Sequence, residues 1–147
     1  MRVLVDTNIL LRSAQPNHPL SSQAALAVSK LIRQKQTVFF CPQNVVEFWN
    51  VATRPAGQNG LGLSSEEALQ EISNIEKSLI LLPDVSAIYT AWKQIVSTHK
   101  VQGVKVHDAH LVAIMNVYSV EKILTFNSLD FERFKTITVI HPSALAD

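Results

Sequence analysis

Three of the 12 acidic residues stand where a carboxylate is out of place. Asp6 separates the apolar run Val3-Leu4-Val5 from Ile9-Leu10-Leu11, and Glu47 separates Val45-Val46 from Phe48-Trp49. Asp108 precedes Leu111-Val112 at the three- and four-residue spacing that puts it on their helical face. A carboxylate beside a core is costly unless it is paired, hydrogen-bonded or bound to a cation. By contrast, Glu66, Glu67, Glu71, Glu76, Glu121, Glu132 and Asp147 lie in polar stretches and are expected to face solvent. Oxygen ligands of this hard type suit magnesium or manganese, which keep several of their waters.

Each acid also has a local reading. Asp6 fits a turn or Asx-cap residue, Asp108 fits a helix N-cap, and Glu47 fits a partner of Arg54 or a side chain pointing to water along its helix. Thr7 and Asn8 fit capping groups for a following helix. His107 and His110 flank Asp108, but their spacing is not that of the paired histidines of zinc hydrolases, so satisfied polar roles are expected. Trp49 and Trp92 sit at helical spacing among apolar residues, which favours core packing over base stacking. The lone cysteine, Cys41, is flanked by Phe40 and Pro42 and is expected to be a small core residue rather than a nucleophile.

The elements that must position these groups are legible as short apolar runs alternating with helical patterns. Val3–Val5, Val38–Phe40, Ile80–Leu82, Lys122–Thr125 and Thr138–Ile140 read as strands. The first is expected to end in a polar loop, Asp6-Thr7-Asn8. Ser21 or Ser22 is expected to cap a helix with Ala25, Val28, Leu31 and Ile32 on its apolar face. A second helix starts near Pro42, runs through Val45, Phe48, Trp49 and Ala52, and stops at Arg54-Pro55. Residues 56 to 63 hold three of the four glycines and read as a flexible loop. Ser64 and Glu67 form a capping box for a helix with Ala68, Leu69, Ile72 and Ile75 inward. Asp84 is expected to cap a helix through Ile88, Trp92, Ile95 and Val96. A helix after Asp108 turns Leu111, Val112, Met115 and Tyr118 inward, and Ser128 to Phe134 form a short one.

This alternation predicts an α/β fold: three layers, α/β/α, around a short, mostly parallel sheet, in one domain over residues 1–147. Open α/β sheets bind ligands in the crevice beyond the carboxyl ends of their strands. Asp6 and Thr125-Phe126-Asn127 follow such ends, and Asp108 opens a helix that could face the same crevice.

The bulk numbers narrow the class. The chain has 147 residues, 47% hydrophobic and 17% charged, enough apolar material for one core and too few charges for disorder. A net charge of +1 argues against a broad basic face wrapping duplex nucleic acid. It leaves room for a small site served by scattered cations, among them Arg12, Lys30, Arg33, Lys35, Arg54 and Lys105. One cysteine allows no intrachain disulfide. With no leader-like start and no long apolar run, a cytoplasmic location without membrane association is expected.

The acidic segments resemble, in order, those of PIN domains. Val3-Leu4-Val5-Asp6-Thr7-Asn8-Ile9-Leu10 resembles the opening strand and first acidic motif. Asn44-Val45-Val46-Glu47-Phe48 is similar to the second, and Val106-His107-Asp108-Ala109-His110-Leu111 to the third. Ile123-Leu124-Thr125-Phe126-Asn127 through Asp130-Phe131 resembles the strand and loop that carry the fourth. Length and ending look most like the toxin ribonucleases of bacterial toxin–antitoxin pairs of the VapC type. The resemblance implies a magnesium- or manganese-dependent RNA endonuclease that forms a homodimer and is inhibited by a cognate antitoxin. Asp6, Asp108 and, through water, Glu47 would hold the metal and carry catalysis. Thr7, Asn8, Thr125, Asn127 and Asp130 would support them. One departure stands out: where many members have an aspartate two residues after the strand-end threonine, this chain has Asn127, and Asp130 follows three residues later. The segment 56–63 and the helices after it are candidates for contacting the antitoxin.

Two other classes compete. A phosphatase with an aspartyl nucleophile also uses an aspartate after the first strand, but with a second two residues on, where this chain has Asn8. A non-catalytic RNA-binding or scaffolding domain would keep the fold and have no use for acids beside the core.

Overall fold

Strand β1 (Arg2–Val5) is covered on both faces, which is why its sequence is a continuous apolar run rather than an alternation. In the computed structural model, which describes residues 1–146, the elements follow as α1 (Thr7–Ser13), α2 (Ser21–Arg33), β2 (Thr37–Phe40), α3 (Pro42–Thr53), α4 (Ser65–Ser78), β3 (Ile80–Leu81), α5 (Ser86–Thr98), α6 (Val106–Tyr118), β4 (Lys122–Leu124) and β5 (Thr138–Ile140). The five strands form one sheet in the order β3-β2-β1-β4-β5. Every pairing is parallel, so the sheet is wholly rather than mostly so.

Successive residues of a strand point to opposite faces, and β1 divides its side chains accordingly. Leu4 joins Phe39 and Ile123 in a core closed by α5 and α6 through Ile88, Leu111 and Met115. Val3 and Val5 join Val38, Phe40 and Leu124 in a second core closed by Ile9, Leu31, Phe48 and Ala68. This is the expected three-layer α/β/α arrangement. The chain steps outward from β1 through β2 to β3, then returns to the other side of β1 for β4 and β5. The order reverses between β1 and β4, the place where such sheets open a crevice beyond their carboxyl ends.

Several local expectations are corrected. No loop follows β1: α1 begins at Thr7, with Asp6 as its N-cap. Neither Ser21 nor Ser22 caps α2; Leu20 holds that position without a side-chain bond. Of the expected stripe of α2, Leu31 is fully buried and Val28 packs partly against the core, but the other buried residues are Ala24 and Ala27, and Ala25, Val28 and Ile32 line a surface groove against α4. Leu69, expected inward, is 58% exposed. Asp84 caps nothing; Val85 precedes α5 without a side-chain cap. The segment Ser128 to Phe134 forms only a 3₁₀ turn, Ser128–Phe131. Glu71 is half-buried, not solvent-facing, and Asp147 lies outside the described residues.

The glycine-rich segment is not a free loop. The amides of Leu61, Gly62 and Leu63 donate to the carbonyls of Val51, Arg54 and Ala52, tying it to the end of α3. Gly60 is required there, since a Cβ would fall 1.9 Å from the Arg54 carbonyl oxygen. The Ser64–Glu67 capping box forms as expected. Trp49 and Trp92 are partly buried against the two cores, and the Trp92 indole donates to the Val106 carbonyl at the start of α6.

Candidate active site

Asp6 closes β1 and is 8% exposed. Its Oδ1 accepts the Thr7 amide at 2.8 Å and its Oδ2 accepts the Thr125 hydroxyl at 2.7 Å. Thr125 follows β4 and is fully buried. Its hydroxyl oxygen also accepts the Asn127 amide and, at 3.3 Å, the Asn8 side chain. The carboxyl ends of the two strands flanking the crevice are thus joined through one carboxylate and one hydroxyl. Asp6 is both the Asx-type cap and a buried acid, because a cap uses one oxygen and leaves the other free to reach β4.

Glu47 comes in from α3. Its Oε1 accepts the Thr7 hydroxyl at 2.7 Å and its Oε2 accepts the Gln43 amide at 3.2 Å. It does not pair with Arg54. Thr7 therefore links Asp6, through its backbone, to Glu47, through its side chain. Behind it Asn44, fully buried, donates to the Thr7 hydroxyl at 3.1 Å and accepts the Cys41 amide at 2.9 Å and the Cys41 thiol. Cys41 is a core residue as expected; burial pushes its thiol up to about 12, which removes it as a nucleophile near neutral pH.

Asp108 lies in the first turn of α6 rather than at its cap. It is half-buried, and among the described residues none donates a hydrogen bond to it. Burial is the largest cause that lifts its carboxyl from 3.8 to about 7, with Asp6 and Asp130 adding to it and Lys105 opposing. Burial likewise raises Asp6 to about 6; the bonds from Thr125 and Thr7 pull it down, and the charges of Glu47 and Asp130 push it up. Both acids thus feel the other carboxylates of the group, so the four share one field. Asp130 pairs with Lys105 at 2.8 Å. Asn127 turns its side chain to solvent and contributes its backbone amide to Thr125. Of the two, Asp130 lies in the acids' field.

Gln43 and Asn44 were not singled out by sequence reasoning. Gln43 bridges α3 to α6: its amide donates to the His107 carbonyl at 2.8 Å as well as to Glu47, and its oxygen meets the His110 ring. His110 has the satisfied polar role expected, and burial lowers its pKa; the His107 ring is exposed. Asn44, three residues beyond Cys41 at a strand-to-helix turn with Pro42 between, had a detectable signal as a capping residue. Gln43 had none as a bridge, because its partners on α6 lie more than sixty residues away. Asn44→Ala is expected to cost about 2–3 kcal/mol by orphaning the buried Cys41 amide and leaving a void. The melting temperature should fall by about 4–10 °C; a change within 1 °C in thermal unfolding would contradict that role.

The donor set is all oxygen, which fits magnesium or manganese rather than a soft thiolate-binding ion. Among the described residues no three His, Cys, Asp or Glu side chains draw together into a ready cage.

The sequence matches the family model described as PIN domain over residues 3–136. The chain belongs to the PIN domain family. No curated protein matches it. Among solved structures, this PIN domain is similar to VapBC2 from Rickettsia felis bound to a promoter DNA fragment, with a TM-score of 0.71 at 11% identity over 96% of this chain and 98% of that one. VapBC-1 from nontypeable Haemophilus influenzae gives 0.71 at 14% identity over 97% and 99%. Mycobacterium tuberculosis VapC20, described as a toxin cleaving the sarcin-ricin loop, gives 0.59 at 15% over 82% and 86%. At these identities the likeness establishes the shared fold. No helix among the described residues is long and apolar enough to cross a membrane.

Proposed function

We propose that this PIN domain is a divalent-metal-dependent endoribonuclease, the toxin of a toxin–antitoxin pair, with Asp6, Glu47 and Asp108 as its catalytic acids. The observation that carries the reading is the joining of Asp6 and Glu47 through Thr7, with Asp6 bridging the ends of β1 and β4 where the strand order reverses. Family membership and the likeness to VapC-type chains support it.

Asp6 and Asp108 would hold a magnesium or manganese ion, with Glu47 reaching it through water. Such an ion supplies a bound water of lowered pKa and polarises a phosphoryl oxygen. The chain's own residues do the rest. Thr125 and Thr7 fix the Asp6 carboxylate and stop it from rotating away from the crevice. Thr7 and Gln43 hold Glu47, which orients the attacking water and accepts its proton. Lys105, paired with Asp130, sets a positive charge beside the acids where an RNA phosphate must approach. Asn8 and Asn127 steady Thr125.

The partner surface follows from the groove between α2 and α4. It encloses about 380 Å³ and is walled by Val28, Ile32 and Ile75. An apolar antitoxin segment would bury these side chains; the tied segment 56–63 is the weaker candidate. A second copy of the chain would cover the exposed Ile80, Leu81 and Tyr89.

The test is cleavage of total RNA by the purified protein with mapped ends. Cutting should stop with EDTA and return with magnesium or manganese. Equal cleavage with and without EDTA, or none with any divalent ion, refutes the assignment.

A further inference from the structure

A cleft of about 460 Å³ opens beside Glu47, within the size range of small-ligand pockets. Its walls include Val46, Glu47 and Asn50 of α3, Asp84 ahead of α5, and His107 and His110 of α6. None of the functional roles above uses Asp84, Asn50 or Val46. Val46 is 69% exposed and offers the cleft an apolar surface. Asp84 caps no helix, and among the described residues none donates a hydrogen bond to it or pairs with it. With Glu47, it opposes the effect of burial on His110 across the cleft.

The charge of the lining says what the cleft can hold. Two carboxylates line it and no lysine or arginine does, so it repels a phosphate. A second cleft of about 410 Å³, on the Lys105–Asp130 side, is lined by Lys100, Lys105 and Arg133 together with Asp130 and Glu132, three cations against two carboxylates. Lys105 lines one cleft and His107 the other, and Asp108 follows them at the start of α6. The lining is thus net positive on the Lys105 side and negative on the Glu47 side, so the phosphates of an RNA strand crossing the acids are better placed on the former.

We propose that the cleft between α3 and the start of α6 receives the base of the unpaired nucleotide next to the cut and selects guanine through Asp84. This rests on the ribonuclease reading. An ionised carboxylate only accepts hydrogen bonds. Guanine alone presents two adjacent donors, N1–H and the 2-amino group, to a carboxylate's two oxygens. Adenine and cytosine offer one amino group beside an acceptor, and uracil one imino group between two carbonyls. Val46 and the exposed His107 ring supply an apolar and a planar surface for the base, as sites for unpaired RNA bases do. Asn50 adds an amide for the guanine O6 edge.

The experiment uses the full chain with magnesium and single-stranded RNA 12-mers randomised at the centre, with both cut ends sequenced. The wild type should enrich guanine at one fixed position beside the cut. Asp84→Asn should lower that enrichment about ten- to a hundredfold, with the circular dichroism spectrum unchanged. Inosine in place of guanosine at that position removes the 2-amino donor. It should slow the wild type and leave the Asp84→Asn variant indifferent, a dependence that a merely structural role would not produce. Equal cutting of guanosine and inosine substrates by the wild type, or the same guanine enrichment in the variant, overturns the subsite and leaves the nuclease standing. If the wild type cuts no RNA, the nuclease reading falls and the subsite with it.

Discussion

Asp6→Asn is expected to lower metal-dependent RNA cleavage by about a thousandfold while leaving the protein folded. Metal-assisted stabilisation of a phosphoryl transition state amounts to several kcal/mol, and each 1.36 kcal/mol is about tenfold in rate. The amide has the size of the carboxylate but only one acceptor oxygen, so it keeps the bond from the Thr7 amide or the one from the Thr125 hydroxyl and not both, the Thr125 oxygen being already occupied by Asn127 and Asn8. The variant also loses one negative charge at the junction of β1 and β4, the strand ends that frame the crevice. Thermal unfolding without metal should therefore show a variant within about 5 °C of the parent, since the relief of a buried charge offsets the lost hydrogen bond. Cleavage within threefold of the parent at saturating magnesium would remove Asp6 from the chemistry.

The parts of this picture that were legible in the sequence share a physical reason. Val3-Leu4-Val5 reads as a strand covered on both faces because only such a strand has no polar alternation. Asp6, Glu47 and Asp108 were visible because a charge is expensive in apolar company wherever the chain goes next. The parts that were not legible depended on choices the local pattern leaves open. On α2, Ala24, Ala27 and Leu31 and the neighbouring Ala25, Val28 and Ile32 are both apolar stripes at helical spacing. Periodicity cannot say which one meets the core when the other walls a groove. Asp84 looked like a cap because it sits just ahead of a helix, but the chain turns one residue later and leaves it in a cleft. Between Asn127 and Asp130 the sequence offered no basis for choice. The 3₁₀ turn at Ser128–Phe131 follows an exposed Asn127 and sets Asp130 against Lys105, near enough for its charge to act on Asp6 and Asp108.

Asp108→Asn should reveal that field in the absence of any substrate. The folded protein holds the Asp108 carboxyl at about 7, above the 3.8 of an open chain, so between these values the native state binds a proton that the unfolded state has released. Stability must then fall as pH rises from about 4 to about 7, and the full cost is present above that window. A fully buried group with this separation would cost ~4 kcal/mol. Asp108 is only half-buried, and solvent screening reduces the cost to about 1–2 kcal/mol. Replacing it by asparagine should therefore raise the melting temperature of the metal-free protein by about 3–8 °C at pH 7.5, and by little at pH 4. Magnesium should reverse the order. An ion that binds only the folded state stabilises it in proportion to its affinity, and the parent retains the carboxylate with no bond from a neighbour, whereas the variant does not. A magnesium titration followed by thermal unfolding should show a large upward shift for the parent and a small one for Asp108→Asn, with cleavage lost in the latter. Superimposable melting curves for the two proteins across pH 4 to 7.5, with and without magnesium, would mean that Asp108 neither repels the other acids nor binds the ion that relieves them.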